Sequence, residues 1–298
     1  MSQLVECVPN FSEGRNTHIR QKILTPFFKT PGVKLLDYSS DKDHNRTVVT
    51  IMGEPSAVKK AILEVTGIAI ENIDLRKHQG AHPRMGAIDV VPFIPLRDYS
   101  MQDAVILARE TAQAMAEQYD LPVFLYEKAA TAPVRENLAN IRKGEFEGLK
   151  EKMLQPEWKP DFGPDKPHPR AGASAVGARM PLIAFNINLH TSNLDIANQI
   201  ARCIRHISGG LRYCKAMGVE LKEKGMVQVS INMTDYTKTS LYRVFEMVKF
   251  EARRYGVAIA GSEIIGLIPM QALLDAAVYY MQIEDFGLDQ VIEYRMLE

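Results

Sequence analysis

The hydrophobic positions of this chain follow strand-like and helix-like spacings in an order that occurs twice. In the first half, runs rich in β-branched and aromatic residues predict strands, and apolar residues three and four positions apart predict the helices between them. The predicted elements are strand 3–8, helix 16–29, strands 33–38 and 47–52, a helix from about 54 to 73, and strand 87–96. Asn16 is a suitable N-cap for the first helix.

The second half repeats this order of strand, helix, strand, strand, helix, strand. Its elements are predicted as strand 182–190, helix 193–207, a hairpin of 212–221 and 226–233, helix 240–255 and strand 257–268. Two copies of β-α-β-β-α-β are typical of ferredoxin-like units, in which helices cover one face of the sheet. We therefore expect an α+β protein with two such subdomains and a boundary near residues 165–180.

Between the two copies, the pattern predicts helices at 100–118 and about 133–153, a short strand at 122–126 and a proline-rich loop. The loop 154–172 holds five of the sixteen prolines and the only tryptophan, Trp158. Prolines stiffen a chain and suit a linker, whereas long irregular loops in compact proteins are often functional. The additional Phe162, His168 and Arg170 favour a loop that lines a site.

Composition and charge narrow the class of protein. The 36 basic and 36 acidic side chains give no net charge, which disfavours a nucleic-acid binder or a basic membrane-surface protein. No apolar run approaches the roughly 20 residues needed to cross a bilayer, and the N-terminus has no secretory pattern. Three widely spaced cysteines predict neither a disulfide framework nor a zinc site. We expect a cytoplasmic protein.

The first candidate catalytic or metal-binding residues are His78 and His82, which lie in the loop 76–86. Their spacing suits a metal only on a helix, and Gly80 and Pro83 disfavour a helix there, so we expect no metal site. A histidine in a tight loop before a strand can serve as a general acid–base, because its pKa lies near neutrality. It can equally bond the local backbone, and the spacing does not decide between these roles.

A five-residue pattern, H-P-R-x-G, occurs at 82–86 and again at 168–172. Proline fixes φ, glycine permits close approach of a ligand, and arginine offers a fork suited to a carboxylate. Polar clusters at 10–15 and 39–46 also follow predicted strands, as solvated turns or as parts of a site. The phosphate-binding loop, dinucleotide fingerprint and serine-nucleophile elbow are absent, which disfavours kinases, dehydrogenases and serine hydrolases.

Five segments of the chain together resemble the glutamate formimidoyltransferase family. They read LVECVPNFSEGRN, DHNRTVVTIMGEP, GAHPRMGAIDVVPFIPL, KPDFGP and GARMPLIAFNINLHT. In vertebrates the member of this family is the N-terminal half of a bifunctional formimidoyltransferase-cyclodeaminase. The resemblance extends over nearly the whole chain, and the third segment is long and unusual enough to be specific.

The resemblance implies a transferase of histidine and one-carbon metabolism, without a metal. N-formimidoyl-L-glutamate would donate its formimidoyl group to tetrahydrofolate, the co-substrate, giving L-glutamate and 5-formimidoyltetrahydrofolate. It also implies two ferredoxin-like subdomains, 1–178 and 179–298, whose sheets face each other across a ligand cleft, and a cytoplasmic homodimer. The alternatives are an enzyme that handles 5-formyltetrahydrofolate and a folate-binding protein without turnover.

The resemblance also assigns roles to residues. The catalytic histidine of the family matches His82. The folate-binding stretch matches Gly163, Pro164, Asp165, Lys166, Pro167, His168, Pro169, Arg170, Ala171 and Gly172. Glutamate and the folate tail are anionic, so arginines are the expected anchors. Our candidates for substrate binding are Asn10, Arg15, Arg46 and Arg84, while Arg170 already lies in the folate stretch.

Overall fold

The computed structural model describes residues 3–297 and shows two compact units that meet in sequence between Arg179 and Met180. Each unit combines one β-sheet with helices, so the chain is an α+β protein with two sheets. No helix in the described part of the chain is long and apolar enough to span a membrane.

The first unit contains seven strands and six α-helices among its described residues. Its strands are β1 (Leu4–Cys7), β2 (Asn10–Phe11), β3 (Val33–Asp41), β4 (Arg46–Gly53), β5 (Ile88–Arg97), β6 (Val123–Glu127) and β7 (Ser174–Ala178). Its helices are α1 (Thr17–Lys29), α2 (Pro55–Asn72), α3 (Met101–Tyr119), α4 (Pro133–Glu136), α5 (Leu138–Arg142) and α6 (Glu145–Lys152), and Pro156–Trp158 forms one 3₁₀ turn. Asn16 caps α1 as predicted, because its Oδ1 accepts from the backbone N–H groups of His18 and Ile19.

The sheet of this unit has the order β3, β4, the pair β1 and β2, β5, β7, β6. β1 and β2 are two segments of one extended strand that is interrupted at Pro9. Both segments pair antiparallel with β4 on one side and with β5 on the other. β5, β7 and β6 are parallel. The seven residues from Ile88 to Ile94 are all buried, as is typical of a strand covered on both faces.

Side chains on the two faces of this sheet enter different cores. α1, α2 and α3 pack on one face, where Phe27, Val65 and Phe93 are buried. On the other face, α5, α6 and the loop after them cover β5, β7 and β6, with Phe124 and Trp158 in that core. Trp158, which the sequence suggested as part of a site-lining loop, is therefore a packed core residue.

Three details of the first unit differ from the prediction, and the first is β2, a strand at Asn10 and Phe11 beyond the expected end of the first strand at residue 8. The single helix expected at about 133–153 is observed as three short helices. Asn137 caps the second of them, and Gly144, with a φ of +91°, separates the second from the third. Strand β7 was not predicted. Its sequence, SAVGA, is too poor in large β-formers to stand out, yet all five residues are buried in the middle of the sheet.

The second unit forms an antiparallel four-stranded sheet with the order β11, β8, β10, β9. Its strands are β8 (Ile183–Leu189), β9 (Cys214–Leu221), β10 (Met226–Met233) and β11 (Ile259–Ile265). Its helices are α7 (Leu194–Ile204), α8 (Leu241–Arg254), α9 (Met270–Met281) and α10 (Ile292–Leu297), and His206–Ser208, Lys222–Lys224 and Leu288–Gln290 are 3₁₀ turns. α7 and α8 pack on one face of this sheet around its own core. The predicted order of strands and helices from 182 to 268 is confirmed.

Candidate active site

The predicted histidine loop lies in the first unit, where the chain enters β5, next to β2 and the start of β4. Asn10 in β2 pairs with Val48 of β4 and with Val90 of β5, so three strands converge here. A small recess opens at this point. It is lined by Phe11, Ser12, His44, Asn45, Arg46, His78, His82, Arg84 and Asp89.

His82 has both ring nitrogens engaged. Nδ1 lies 2.7 Å from the carbonyl oxygen of Pro83, which can only accept, so Nδ1 carries the proton. Nε2 contacts the guanidinium of Arg46, which can only donate, so Nε2 is the acceptor. Burial lowers the pKa of His82 to about 4, reinforced by the charges of Arg46 and Arg142, while Asp89 acts in the opposite direction. The imidazole is therefore neutral near pH 7.

Arg46 connects His82 to Asn10. One terminal nitrogen of its guanidinium faces His82, and the other donates to the side-chain oxygen of Asn10. Asn10 is oriented in turn by its own donor, which bonds the carbonyl of Val8 at 2.8 Å. Burial lowers the pKa of Arg46 to about 10, and nearby Arg142 adds to this effect. Three predicted residues, Asn10, Arg46 and His82, thus form one contiguous cluster.

Asp89, two residues into β5, holds the histidine loop in place. One of its carboxylate oxygens accepts from the backbone N–H groups of Met85 at 2.8 Å and Gly86 at 3.2 Å. The other accepts from Arg142 of α5 at 2.6 Å, and Asp89 is only 2% exposed. Removing one partner of a buried ion pair of this kind costs about 3–5 kcal/mol, so Asp89 fixes where the loop before β5 can lie.

Arg84 lines the recess, but its donors are already occupied. It bonds Glu147 through both terminal nitrogens at 2.7 and 2.6 Å, and Glu145 at 2.9 Å. These bonds lower the pKa of Glu147. The Nε of Arg84 also donates to Nδ1 of His78 at 3.1 Å, and His78 bonds the carbonyl of Asn45 at 2.9 Å. Arg84 and His78 therefore hold the loop against α6 and the turn before β4.

Arg15 stands apart from this cluster. It is exposed, and its Nε donates to the carbonyl of Lys42 at 2.7 Å. The turn that carries it is tied to the site by Asn45, whose side chain accepts from the N–H of Gly14 at 2.9 Å and donates to the carbonyl of Gln79 at 3.0 Å. Arg15 therefore lies at the rim, connected to the histidine loop only through other residues.

The second H-P-R-x-G segment, at the end of the predicted folate stretch, pairs with the first. Gly86 and Gly172 form an antiparallel bridge, flanked by backbone bonds from Ala173 to Met85 at 3.0 Å and from Ala87 to Ala171 at 2.9 Å. A Cβ on Gly172 would lie 2.0 Å from the carbonyl oxygen of Met85. Only glycine allows the two segments to approach this closely.

Within the predicted folate stretch, several polar groups already have partners. His168 bonds Gly172 through both backbone groups, and its Nδ1 accepts from the N–H groups of Arg170 and Ala171. Burial lowers the pKa of His168. Asp165 pairs with Lys159 at 2.7 Å, and Arg170 lies 3.7 Å from Asp74. The preceding loop is anchored by a buried ion pair of Arg135 with Asp161 at 2.8 Å.

The sequence did not identify four residues that shape this site: Asp89, Arg142, Glu145 and Glu147. A signal for Asp89 was present, because it is the only charged residue between Ala87 and Leu96, a run predicted to be a buried strand. A buried carboxylate requires a partner. The partner, Arg142, is 53 positions away, and nothing in the spacing pointed to it.

A neutral histidine at the ends of these strands, beside a desolvated arginine, has the chemistry needed to move protons next to an anionic group. The chain belongs to the formiminotransferase family. The model of the formiminotransferase domain, N-terminal subdomain, matches residues 4–179, and that of the formiminotransferase domain matches residues 184–294. The resemblance seen in the sequence is thus confirmed.

Three relatives illustrate the range of the family. The chain is 51% identical to a glutamate formimidoyltransferase of Streptococcus pyogenes serotype M1 over 298 residues, covering 100% of both chains. It is 46% identical to a glutamate formimidoyltransferase of Thermoplasma acidophilum, over 98% of this chain and 97% of that one. A formimidoyltransferase-cyclodeaminase of Rattus norvegicus is also 46% identical, and this chain covers 56% of its length.

Proposed function

We propose that this chain is a glutamate formimidoyltransferase. It transfers the formimidoyl group of N-formimidoyl-L-glutamate to tetrahydrofolate, and the products are L-glutamate and 5-formimidoyltetrahydrofolate. The observation that carries the proposal is the neutral His82 beside Arg46, in a chain of this family whose relatives bear that name over their full length. Proton transfer next to an anion-binding group is what this reaction requires.

The proposed reaction needs proton transfers but no oxidant or reductant. The N5 amine of tetrahydrofolate attacks the amidine carbon, and the new carbon–nitrogen bond gives a tetrahedral intermediate. N5 loses a proton, the nitrogen of glutamate gains one, and the bond from carbon to that nitrogen breaks to release the amine. One imidazole can take the first proton and return the second, so we assign both steps to His82. Holding the two substrates in register supplies a further part of the acceleration.

Folate is assigned to the stretch from Gly163 to Gly172. Support comes from the family resemblance and from the backbone bridge that joins the end of this stretch to the loop of His82. Among the remaining candidates, Asn10 and Arg46 are favoured for direct substrate contact because they form one cluster with His82. Arg84 is favoured for positioning the loop, since its donors bond glutamates.

Each unit, taken by itself, supports a ferredoxin-like assignment. In the first unit, β5 lies beside the pair β1 and β2, which is followed by β4 and then β3. In the second unit, β11 lies beside β8, which is followed by β10 and then β9. Both sheets therefore have the strand order 4-1-3-2 of the β-α-β-β-α-β unit. We propose subdomains 1–178 and 179–298, in a cytoplasmic homodimer that binds folate and needs no metal. Sedimentation of the ligand-free protein would test the dimer directly.

The test of the function is an absorbance assay with N-formimidoyl-L-glutamate and tetrahydrofolate. Acidification converts any 5-formimidoyl product to the strongly absorbing methenyl form. We expect a signal that requires both substrates and the protein. The same assay with N-formyl-L-glutamate as the donor measures the alternative reaction.

Two outcomes would contradict the proposal. Turnover of the formyl compound alone would favour the enzyme that handles 5-formyltetrahydrofolate. Folate binding without transfer, even in a single turnover at high protein concentration, would favour a folate-binding protein.

A further inference from the structure

In the ligand-free protein, His82 has no lone pair available for a substrate. Its Nδ1 proton is bonded to the carbonyl of Pro83, and its Nε2 lone pair is occupied by Arg46. A general base must present a free lone pair to the proton that it removes. Arg46 must therefore withdraw from Nε2 before His82 can act, and something in the reaction has to cause that withdrawal.

Arg46 has no carboxylate partner among residues 3–297, whereas three other arginines of its unit with little exposure are paired with carboxylates. Arg84 is paired with Glu145 and Glu147, Arg135 with Asp161, and Arg142 with Asp89. Arg46 instead contacts two neutral groups, His82 and Asn10, and its Nε has no hydrogen-bond partner. A desolvated guanidinium without a bonded carboxylate attracts an anion, and its fork fits a carboxylate in two-point contact.

We propose that Arg46 binds the α-carboxylate of the glutamyl substrate and that this contact releases Nε2 of His82 for proton transfer. The inference rests on the proposed function and identifies which anionic group meets which arginine. The carboxylate takes the guanidinium donors that His82 and Asn10 hold in the free protein. Arg46 is thus a substrate-binding residue that couples the arrival of substrate to the availability of the base.

The chemistry of the two substrates selects the α-carboxylate. In N-formimidoyl-L-glutamate, the reacting nitrogen and the α-carboxylate are attached to the same carbon. In tetrahydrofolate, the aminobenzoyl group separates the tail carboxylates from N5. Because Arg46 touches the imidazole that serves the reacting nitrogens, the carboxylate that it binds must be the one next to them.

The charges around His82 give this contact a second effect. They are Arg46 from β4, His44 from the turn before it, Arg142 from α5, Asp89 from β5, and His78 and Arg84 from its own loop. Asp89 is already bonded to Arg142, so Arg46 is a positive charge next to the ring to which no carboxylate is bonded. An added carboxylate offsets that charge and raises the pKa of His82, which makes the imidazole a better base when substrate is present.

The test is a pH titration of His82 by NMR, with the protein labelled at the histidine Cε1 carbon. The chain has seven histidines, and the signal of His82 is assigned by its loss in His82→Gln. We expect saturating L-glutamate, without folate, to raise the pKa of His82 by about one unit or more. L-Glutamine keeps the α-carboxylate and should act in the same way, whereas L-isoglutamine, which carries an α-amide, should not.

Arg46→Met is the decisive variant. We expect the pKa of His82 to move toward about 6.5 without ligand, glutamate to cause no further rise, and glutamate affinity to fall about 10–100-fold. Arg46→Lys, which keeps the charge, should restore part of the affinity. The matched control is Arg76→Met, because Arg76 is exposed and paired only with Asp74, and it should titrate like the wild type.

Three results would overturn the inference. They are failure of the wild type to bind glutamate, binding that leaves the titration of His82 unchanged, and a shift produced by p-aminobenzoylglutamate instead, which would assign Arg46 to the folate tail. These readouts need no turnover. A responsive His82 in a protein without transferase activity would contradict only the proposed function, and turnover with an unresponsive His82 would contradict only this inference.

Discussion

A neutral His82 is the residue on which the proposed chemistry depends. His82→Ala should fold like the wild type and lose about 10²–10⁴-fold in turnover, the usual contribution of a positioned acid–base. His190→Ala is the control, since His190 is exposed and lies in the second unit. Steady-state rates and circular dichroism of both variants check this expectation. Near-wild-type turnover of His82→Ala would remove His82 from the mechanism.

The lowered pKa of His82 also predicts how stability depends on pH. With a folded-state pKa of about 4 and an ordinary value of about 6.5, the unfolded chain binds more protons between these limits. Stability contributed by the neutral imidazole is therefore present above pH ~6.5 and is lost as the pH falls toward ~4. The melting temperature of His82→Gln should fall less steeply over this window than that of the wild type. Parallel curves would show that His82 titrates normally.

Single residues also show what the sequence could and could not reveal about the site. His82 and Arg46 were identified because they lie in unusual polar loops that resemble the family. Arg142 and Glu147 were not, because a long-range ion pair leaves no local pattern and its members are placed only by packing of α5 and α6. Asp89 is an intermediate case. Its position in an apolar run indicated that it has a partner, but not that the partner is Arg142.

At the scale of elements, the hydrophobic pattern predicted most strands and helices, because most of them bury one regular face. It failed where tertiary context decides. β7 consists of small residues that form a strand only because β5 and β6 flank it. The helix expected at 133–153 is divided at Asn137, whose side chain accepts a hydrogen bond from the backbone, and at Gly144, which adopts a positive φ.

The pairing of the two H-P-R-x-G segments can be tested through Gly172. Gly172→Ala places a Cβ 2.0 Å from a backbone oxygen at a φ of +70°, and we expect it to lower the free energy of unfolding by about 3 kcal/mol. Gly144→Ala is the matched control, because its φ is +91° but its Cβ meets nothing nearer than 3.6 Å, and it should cost about 1 kcal/mol. Urea denaturation followed by Trp158 fluorescence reports on both. Equal costs would mean that the close approach at Gly172 is relieved by a small shift.

At the scale of the whole molecule, each unit has its own hydrophobic core and its own sheet. A unit with these properties is able to fold alone. We expect a fragment of residues 1–179, which carries His82 and the folate stretch, to show cooperative thermal unfolding. We also expect it to lack transferase activity, which should require both units, since the family models match residues 4–179 and 184–294. A fragment with full turnover would refute that requirement, and an unfolded fragment would refute the independence of the units.

The bridge between Gly86 and Gly172 has a consequence for how the two substrates bind. A ligand that immobilises one of the bridged segments removes part of the conformational entropy that the other would lose on binding its own ligand. Folate and the glutamyl substrate should therefore bind synergistically, and linkage makes the enhancement reciprocal. Calorimetric titration of glutamate with and without 5-formyltetrahydrofolate measures this, and equal affinities would contradict it. The protein therefore favours the complex with both substrates over a complex with only one of them.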